Sequence, residues 1–561
     1  MRALKIIGII IGCIVAALIA AVIALWLIVN PNDYKGRIEA AVRSSTGRDL
    51  SLTGNIHLAI FPSIALELGP ASLGNPPGFT SSEPFASLQR VSLSVHVLPL
   101  LHHQLDVGRI EIDGLDLRLL KNPQGQSNWA MPAAKPAAST PQQSGSSQVS
   151  LGGIGDVVVK NSRVSYQDMV VNDVNVKIDH VGTGTPIPVS WNFVVMTGPK
   201  GRPIPLSGNA TLEYSATAAH LSDLDARIDS SRLRGNAAVT NLTTGAMNFD
   251  LSIDQIDLDR YLGSTSKTSK AAAQNQAPTE LPTSALKTLQ LNGKLAIGSA
   301  TIYGMKLSQV AVGLAADNGV LHITPASAKL YGGTSTGTAT LDAHGAVPVL
   351  HLDETLAGID VQPLLMDFAK FNRVSGRGNV TMNVTANGNT TAALMRSLDG
   401  HVAANLTNGA IDGLDLWSAV NGAVALAQKH SLPTGGTGQS MGQSMGQSTR
   451  FDTFKASAEL ANGVATTKDL DIDSGDLHVT GQGTTNLVTG TVDYRVSAAI
   501  LKGPLSGTLA SIPLLISGTM TSPSVRPDTQ ALVKSLAQQQ LQKHKGEIEN
   551  KLKGVLKGLI H

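Results

Sequence analysis

From Leu50 to about Asp528 the chain alternates apolar and polar residues with a period of two. Such alternation marks strands with one greasy and one wet face. Val91, Leu93, Val95 and Val97 alternate with Ser92, Ser94 and His96. Ile110 and Ile112 alternate with Glu111 and Asp113, and Leu115, Leu117 and Leu119 with Asp116 and Arg118. Gly114 shifts the phase between these two runs, which predicts a bulge or tight bend there. The pattern returns at Leu251 and Ile253, at Val380, Met382 and Val384, and at Leu470 and Ile472. Many runs end in Gly or Asn-Gly, the local signal for a hairpin. Asn318-Gly319-Val320 and Asn462-Gly463-Val464 head two similar stretches. SGDLHVTGQGTTNL from Ser474, YGGTSTGTATLDA from Tyr331 and SSRLRGNAAVTNL from Ser230 read as a degenerate hairpin repeat. The expected fold is mainly β: an elongated, curled antiparallel groove of repeated hairpins.

Two ends depart from this rhythm. Ile6 to Val29 is an unbroken apolar run, long enough to cross a hydrocarbon core of about 30 Å. It is longer than a secretory signal core and ends in Trp26-Leu27-Ile28-Val29, so it predicts a retained transmembrane anchor on Ile6, Ile10, Leu18, Trp26 and Val29. Basic residues flank it on both sides, so the charge count does not orient it. At the other end, Ile548, Leu552, Val555, Leu556 and Leu559 share one face of a basic amphipathic helix over 529–561. That helix suits a membrane surface, or a cap on the end of the sheet.

Three stretches, 131–150, 263–283 and 431–449, are rich in Pro, Ala, Ser, Gln or Gly and read as flexible loops. They divide the chain into an anchor over 1–30, β regions over 31–130, 151–262, 284–430 and 450–528, and the tail helix. Short helical patterns sit at Tyr34 to Arg43, with Asp33 as N-cap, at Pro363 to Phe371, at Thr391 to Leu398 and at Leu416 to His430.

Composition adds exclusions. The net charge is +2 and charged residues are 15%, so no nucleic-acid partner is indicated. The single cysteine, Cys13, lies in the apolar run, which an oxidising compartment would tolerate. Aromatics are 4%, too few to fill a thick sandwich core, and helical patterns are too few to cover so much sheet. The uncovered apolar face would match hydrocarbon chains, at about 0.8 kcal/mol per buried CH₂. Its predicted lining is Ile110, Ile112, Leu251, Ile253, Val380, Val384, Leu470 and Ile472.

Catalytic chemistry is not evident. His102 and His103 are adjacent on a strand pattern and point to opposite faces, a poor metal pair. Asp469-Leu-Asp-Ile-Asp-Ser-Gly starts like a calcium loop, but its Gly falls one position late and Thr480 stands where the bidentate Glu belongs. Neither a phosphate-binding loop nor a nucleophile elbow is present. The expectation is a non-enzymatic protein with no cofactor and no metal.

The residues then carry a resemblance. NPNDYKGRIEAAVRSSTGRDLSLTGNI at Asn30 to Ile56, FPSIALELGPASLGNPPGF at Phe61 to Phe79 and VGRIEIDGLDLRLLKNPQGQSNW at Val107 to Trp129 resemble the AsmA family of Gram-negative envelope proteins, which includes the TamB-like proteins. The "Leu-x-Leu…Gly-x-x-Asn-Trp" ending is the most specific piece. SLDGHVAANLTNGAIDGLDL from Ser397, FDTFKASAELANGVATTKDLDI from Phe451 and SGTMTSPSVRPD from Ser517 extend it. The resemblance implies an inner-membrane anchor, a periplasmic body and a role in outer-membrane biogenesis. That role would be phospholipid transport along the groove or, as the alternative, scaffolding of outer-membrane protein assembly. It names the inner membrane and phospholipid as partners, with the outer membrane or its assembly proteins beyond.

Overall fold

The computed structural model describes residues 31–59, 64–96, 104–129, 150–181, 185–197, 201–261, 283–428, 448–502, 511–535 and 537. The expected anchor over 1–30, the three biased loops almost whole, and Ile548, Leu552, Val555, Leu556 and Leu559 lie outside them. Among the described residues no helix is long and apolar enough to cross a membrane. The chain forms two compact units, Met1–Thr243 and Thr244–His561, and the described residues of each contain fourteen strands, β1–β14 and β15–β28.

The first unit opens with a helix, Lys35–Thr46, closed by Gly47 at φ +69 with its N–H donating to Arg43 O at 2.9 Å. Its N-cap is Tyr34 with no side-chain cap bond, so Asp33 does not serve as the expected cap. Two lines of strands follow. One runs β2 (Ile56–Ala59), β3 (Ile64–Leu68), β6 (Arg90–Val95) and β7 (Gln104–Asp113). The other runs β1 (Leu50–Leu52), β4 (Ala71–Leu73), β5 (Ala86–Leu88) and β8 (Asp116–Leu119). Both end on β9 (Ser150–Tyr166), whose 17 residues take β7 along the first half and β8 along the second. Gly114, at φ +66, is the bend that lets one run of sequence feed both lines. From β9 the chain meanders through β10 (Met169–Ile178), β11 (Ile187–Thr197), β12 (Ile204–Tyr214), β13 (Ala219–Ile228) and β14 (Ser231–Asn241).

The second unit is one ladder in chain order. It begins with β15 (Ala246–Asp257), β16 (Leu291–Ile302), β17 (Met305–Asp317), β18 (Val320–Leu330), β19 (Gly333–Asp342) and β20 (Val349–Asp360). It continues through β21 (Val374–Asn387), β22 (Asp399–Asp412), β23 (Ser448–Ala461), β24 (Val464–Asp473) and β25 (Leu477–Asn486). β26 (Thr491–Ile500), β27 (Ile512–Thr519) and β28 (Ser522–Pro527) complete it. The predicted Asn-Gly hairpins are there, with Asn318 and Gly319 at φ 48 and 82 and Asn462 and Gly463 at φ 52 and 74. Paired left-handed residues of this kind match the twist of the flanking strands. The three repeat-like stretches become β14, β19 and β25.

Two expectations about the sheet need correction. It is mixed, not purely antiparallel: β7 and β8 run parallel to β9, and β15 runs parallel to β16. A parallel partner requires a crossover that returns the chain to the starting edge. The sequence leaves 30 residues between β8 and β9 and 33 between β15 and β16 for that return. The sheet in each unit is also open and uncurled, with no pairing between its first and last strands among the described residues. Curling needs bulges stacked in register across neighbouring strands. Here the shifts are local to single strand pairs, near Asp173 and Asp223 in the first unit and near Gln309 in the second.

The second unit's main core lies towards its C-terminal end. The Leu416–Gln428 helix packs on β27 and β28. Its buried Leu416, Val420, Ala423 and Val424 fall at the spacing of one helix face. Asp415 Oδ1 caps it, accepting from Ser418 N at 2.8 Å. The other predicted helices form at Val361–Ala369, capped by Asp360, and at Thr391–Arg396, capped by Thr390. Beyond Asp528 only a turn over 529–535 and residue 537 is described as helical, and its Leu532 joins the core.

Candidate functional site

Strand register assembles the apolar face of the second unit row by row. One row runs Leu251, Leu295, Val312, Ala326, Gly337, Glu354, Met382, Val402 and Ala458. Every residue in it is half-buried. It crosses nine strands, about 38 Å at ~4.8 Å per strand. The neighbouring row holds Phe249, Gly293, Leu314, Ile323, Ala339 and Leu352, all half-buried. Side chains one residue away, such as Asp250, Ser252, Asp254 and Ala311, are exposed on the opposite face. A row that is apolar but for Glu354 and remains half-exposed is the sheet's main departure from an ordinary core.

The predicted lining residues divide between two environments. Leu251 and Ile253 are half-buried on this face, Val380 is half-buried where it packs against the closed core, and Ile110 and Ile112 are half-buried in the first unit on β7. Val384, at 9% exposure, ends the open stretch. Leu470 and Ile472 belong instead to the closed core, together with the Leu416–Gln428 helix. Their assignment to an open groove is therefore corrected. Strand periodicity alone does not reveal that a helix covers that end. The anchor residues Ile6, Ile10, Leu18, Trp26 and Val29 lie outside the described residues.

In each unit taken by itself the other face is polar. Glu111 takes Lys160 at 2.9 Å, and Arg232 Nε donates to Asp225 Oδ1 at 2.7 Å. The Arg232 hydrogen bond is the main cause that holds Asp225 down to about 2. A cavity of about 840 Å³ lies against this part of the first unit, lined by Lys160, Lys177, Asn192, Asn209, Asp225 and Arg227 among others. The triple aspartate that resembled a calcium loop is engaged locally on β24. Asp469 accepts from Ser457 N and Oγ at 2.8 and 2.7 Å, Asp471 meets His478 at 3.0 Å, and Asp473 accepts from Gly475 N.

The motifs that carried the family resemblance converge on one buried polar knot. Asn128 is fully buried. Its Oδ1 accepts from Leu120 N, and its Nδ2 donates to Asn75 Oδ1 and to Arg118 O, each at 2.8 Å. Arg48 donates through Nη2 to Asn128 O at 2.7 Å and lies over the Phe85 ring at 4.6 Å. Burial holds its guanidinium below the usual arginine pKa. Trp129 meets Tyr166 edge-on at 5.7 Å, fastening the knot to the end of β9. These segments stand out in the sequence as signatures, but nothing in it shows that Arg48, Asn75 and Asn128 touch. Their sequence separations of 80 and 53 residues leave no local signal.

Serially paired strands with one wet face and one half-exposed apolar face define a large β-sheet protein. The chain belongs to the AsmA family, whose pattern matches residues 1–198 and 204–470. It is similar to Protein AsmA of Escherichia coli (strain K12), at 22% identity over 538 residues, covering 86% of this chain and 85% of that one. No solved structure matches. Membership carries an envelope-related role in outer-membrane homeostasis.

Proposed function

We propose that the protein binds phospholipid acyl chains along the open apolar face of its sheet and conducts them between envelope membranes. On this reading residues 1–30 tether it to the inner membrane and the body lies in the periplasm. It acts by binding, without catalysis, cofactor or metal. The observation that carries the reading is the half-exposed row from Leu251 to Ala326, whose residues join neither buried core cluster. Water against that row costs free energy that an acyl chain relieves, at about 0.8 kcal/mol per methylene. The local engagement of Asp469, Asp471 and Asp473 supports a non-catalytic polar face.

Site-specific photocrosslinking tests the proposal. Crosslinkers at Ile112 and Ile253 are expected to capture phospholipid, and those at Glu111 and Asp254 are not. Leu470, closed under the core, serves as an apolar position that stays unlabelled. Equal labelling of both faces would overturn the reading.

A further inference from the structure

Glu354 stands in the apolar row. On β20 it keeps the phase of Leu350, Leu352 and Leu356, while His351, Asp353 and Thr355 take the other face. Its ladder partners are Gly337 on β19 and Met382 on β21. A carboxylate at such a place is costly unless something pairs with it. The fold accommodates it through the Thr336 backbone, through Ser335 and through Gly337. Ser335 Oγ donates to Glu354 Oε1 at 2.6 Å. Gly337 leaves the room the other oxygen needs, since a Cβ there would lie 2.5 Å from Glu354 Oε2. Glu354 also sits at a boundary. Leu356, two residues on, is closed in the core at 9% exposure, while Leu352, two residues back, is half-buried on the open face. The carboxylate thus stands between the open face at Leu352 and the closed core at Leu356.

We propose that Glu354 is a headgroup-recognition residue for amphiphiles that carry a primary ammonium, the aminophospholipids. This rests on the lipid-binding reading above and deepens it. The ammonium donates to Oε2, the oxygen that Ser335 leaves open, while the acyl chains lie along the row of Met382, Gly337, Ala326 and Val312. Charge and hydrogen-bond geometry both enter the selection. A trimethylammonium has the charge without the N–H donors, and a glycerol headgroup has donors without the charge. Burial raises the Glu354 pKa, and a cationic partner relieves the desolvation that causes this. The other charged group of this segment, Asp353, points to the opposite face, and the facing strands present Ser335, Thr336 and Met382.

The test uses the full chain in vesicles of equal parts phosphatidylethanolamine, phosphatidylglycerol and phosphatidylcholine. A photocrosslinker sits at Val312, three strands away and about 14 Å from Glu354 along the row. Captured lipid is identified by mass spectrometry. The unmodified chain is expected to enrich phosphatidylethanolamine over phosphatidylcholine about fivefold, a charge-assisted bond discounted for half exposure. Glu354→Gln, which keeps an acceptor for Ser335, should bring the ratio to about one with total capture unchanged. Glu354→Lys should move the preference to phosphatidylglycerol. Identical ratios in the unmodified chain and Glu354→Gln, with capture intact, overturn the headgroup role and leave acyl-chain binding standing. No lipid captured at Val312 in any form overturns both.

Discussion

Replacing Asn128 by Ala asks whether the polar knot fixes the first unit. The side chain makes three hydrogen bonds of 2.8 Å with no exposure to water. Each contributes about 1 kcal/mol net, and its loss strands a buried partner at a cost of about 1–3 kcal/mol. Leu120 N, Arg118 O and the Asn75 amide lose their partner together, so the expected destabilisation is about 3–4 kcal/mol. Arg48 keeps its bond to the Asn128 carbonyl, which belongs to the backbone. The effect should therefore fall on β5 and β8. Hydrogen exchange read by mass spectrometry on the full chain measures it directly. Peptides covering Ala86–Leu88 and Asp116–Leu119 should lose protection by about two orders of magnitude, since 1.4 kcal/mol is tenfold. β10 to β14 should hold. Asn128→Asp should be nearly as damaging, because a carboxylate still accepts from Leu120 N but cannot donate to Asn75 or Arg118. Unchanged protection at β8 in Asn128→Ala would refute the assignment of these motifs to a structural knot.

Two further outcomes follow from the geometry. Leu416→Ala empties a fully buried site where the Leu416–Gln428 helix meets the sheet. It should destabilise the second unit by about 2–5 kcal/mol, seen as faster exchange in β27 and β28 with β16 to β18 unaffected. Asp225 has its pKa lowered from 3.8 to about 2, chiefly by the Arg232 hydrogen bond. A depressed carboxylate stabilises the fold above its unfolded pKa, and the contribution disappears as pH falls through the folded value. Arg232→Gln should therefore make acid unfolding of the first unit begin at higher pH, and an unchanged acid midpoint would count against the pair.

The alternation of Ile110 and Ile112, of Leu251 and Ile253 and of Val380 and Val384 was readable because strand geometry is local. Each such run became a strand in the predicted phase. The Asn318-Gly319 and Asn462-Gly463 turns were readable for the same reason. What failed was information about neighbours. Alternation says which residues share a face, but not that β9 runs parallel to β7 and β8, because that depends on where the 131–150 connection delivers the chain. Nor did it say that the Leu416–Gln428 helix would return over Leu470 and Ile472 and close what read as groove. Glu354 had a local signal, since LHLDETL places a carboxylate in the apolar phase. The knot of Arg48, Asn75 and Asn128 had none, being assembled only when distant segments meet.

On the proposed function, acyl chains travel on the apolar row. The most direct test of that movement is transfer of labelled phospholipid from donor vesicles that hold the full chain to acceptor vesicles lacking it. Val312→Asp puts a carboxylate in the row, and Ala311→Asp puts the same group one residue away on the exposed face. A charge in an apolar path is opposed by desolvation, so Val312→Asp should slow transfer at least about tenfold. Ala311→Asp should leave it unchanged. Equal rates for both variants and the unmodified chain would contradict the account.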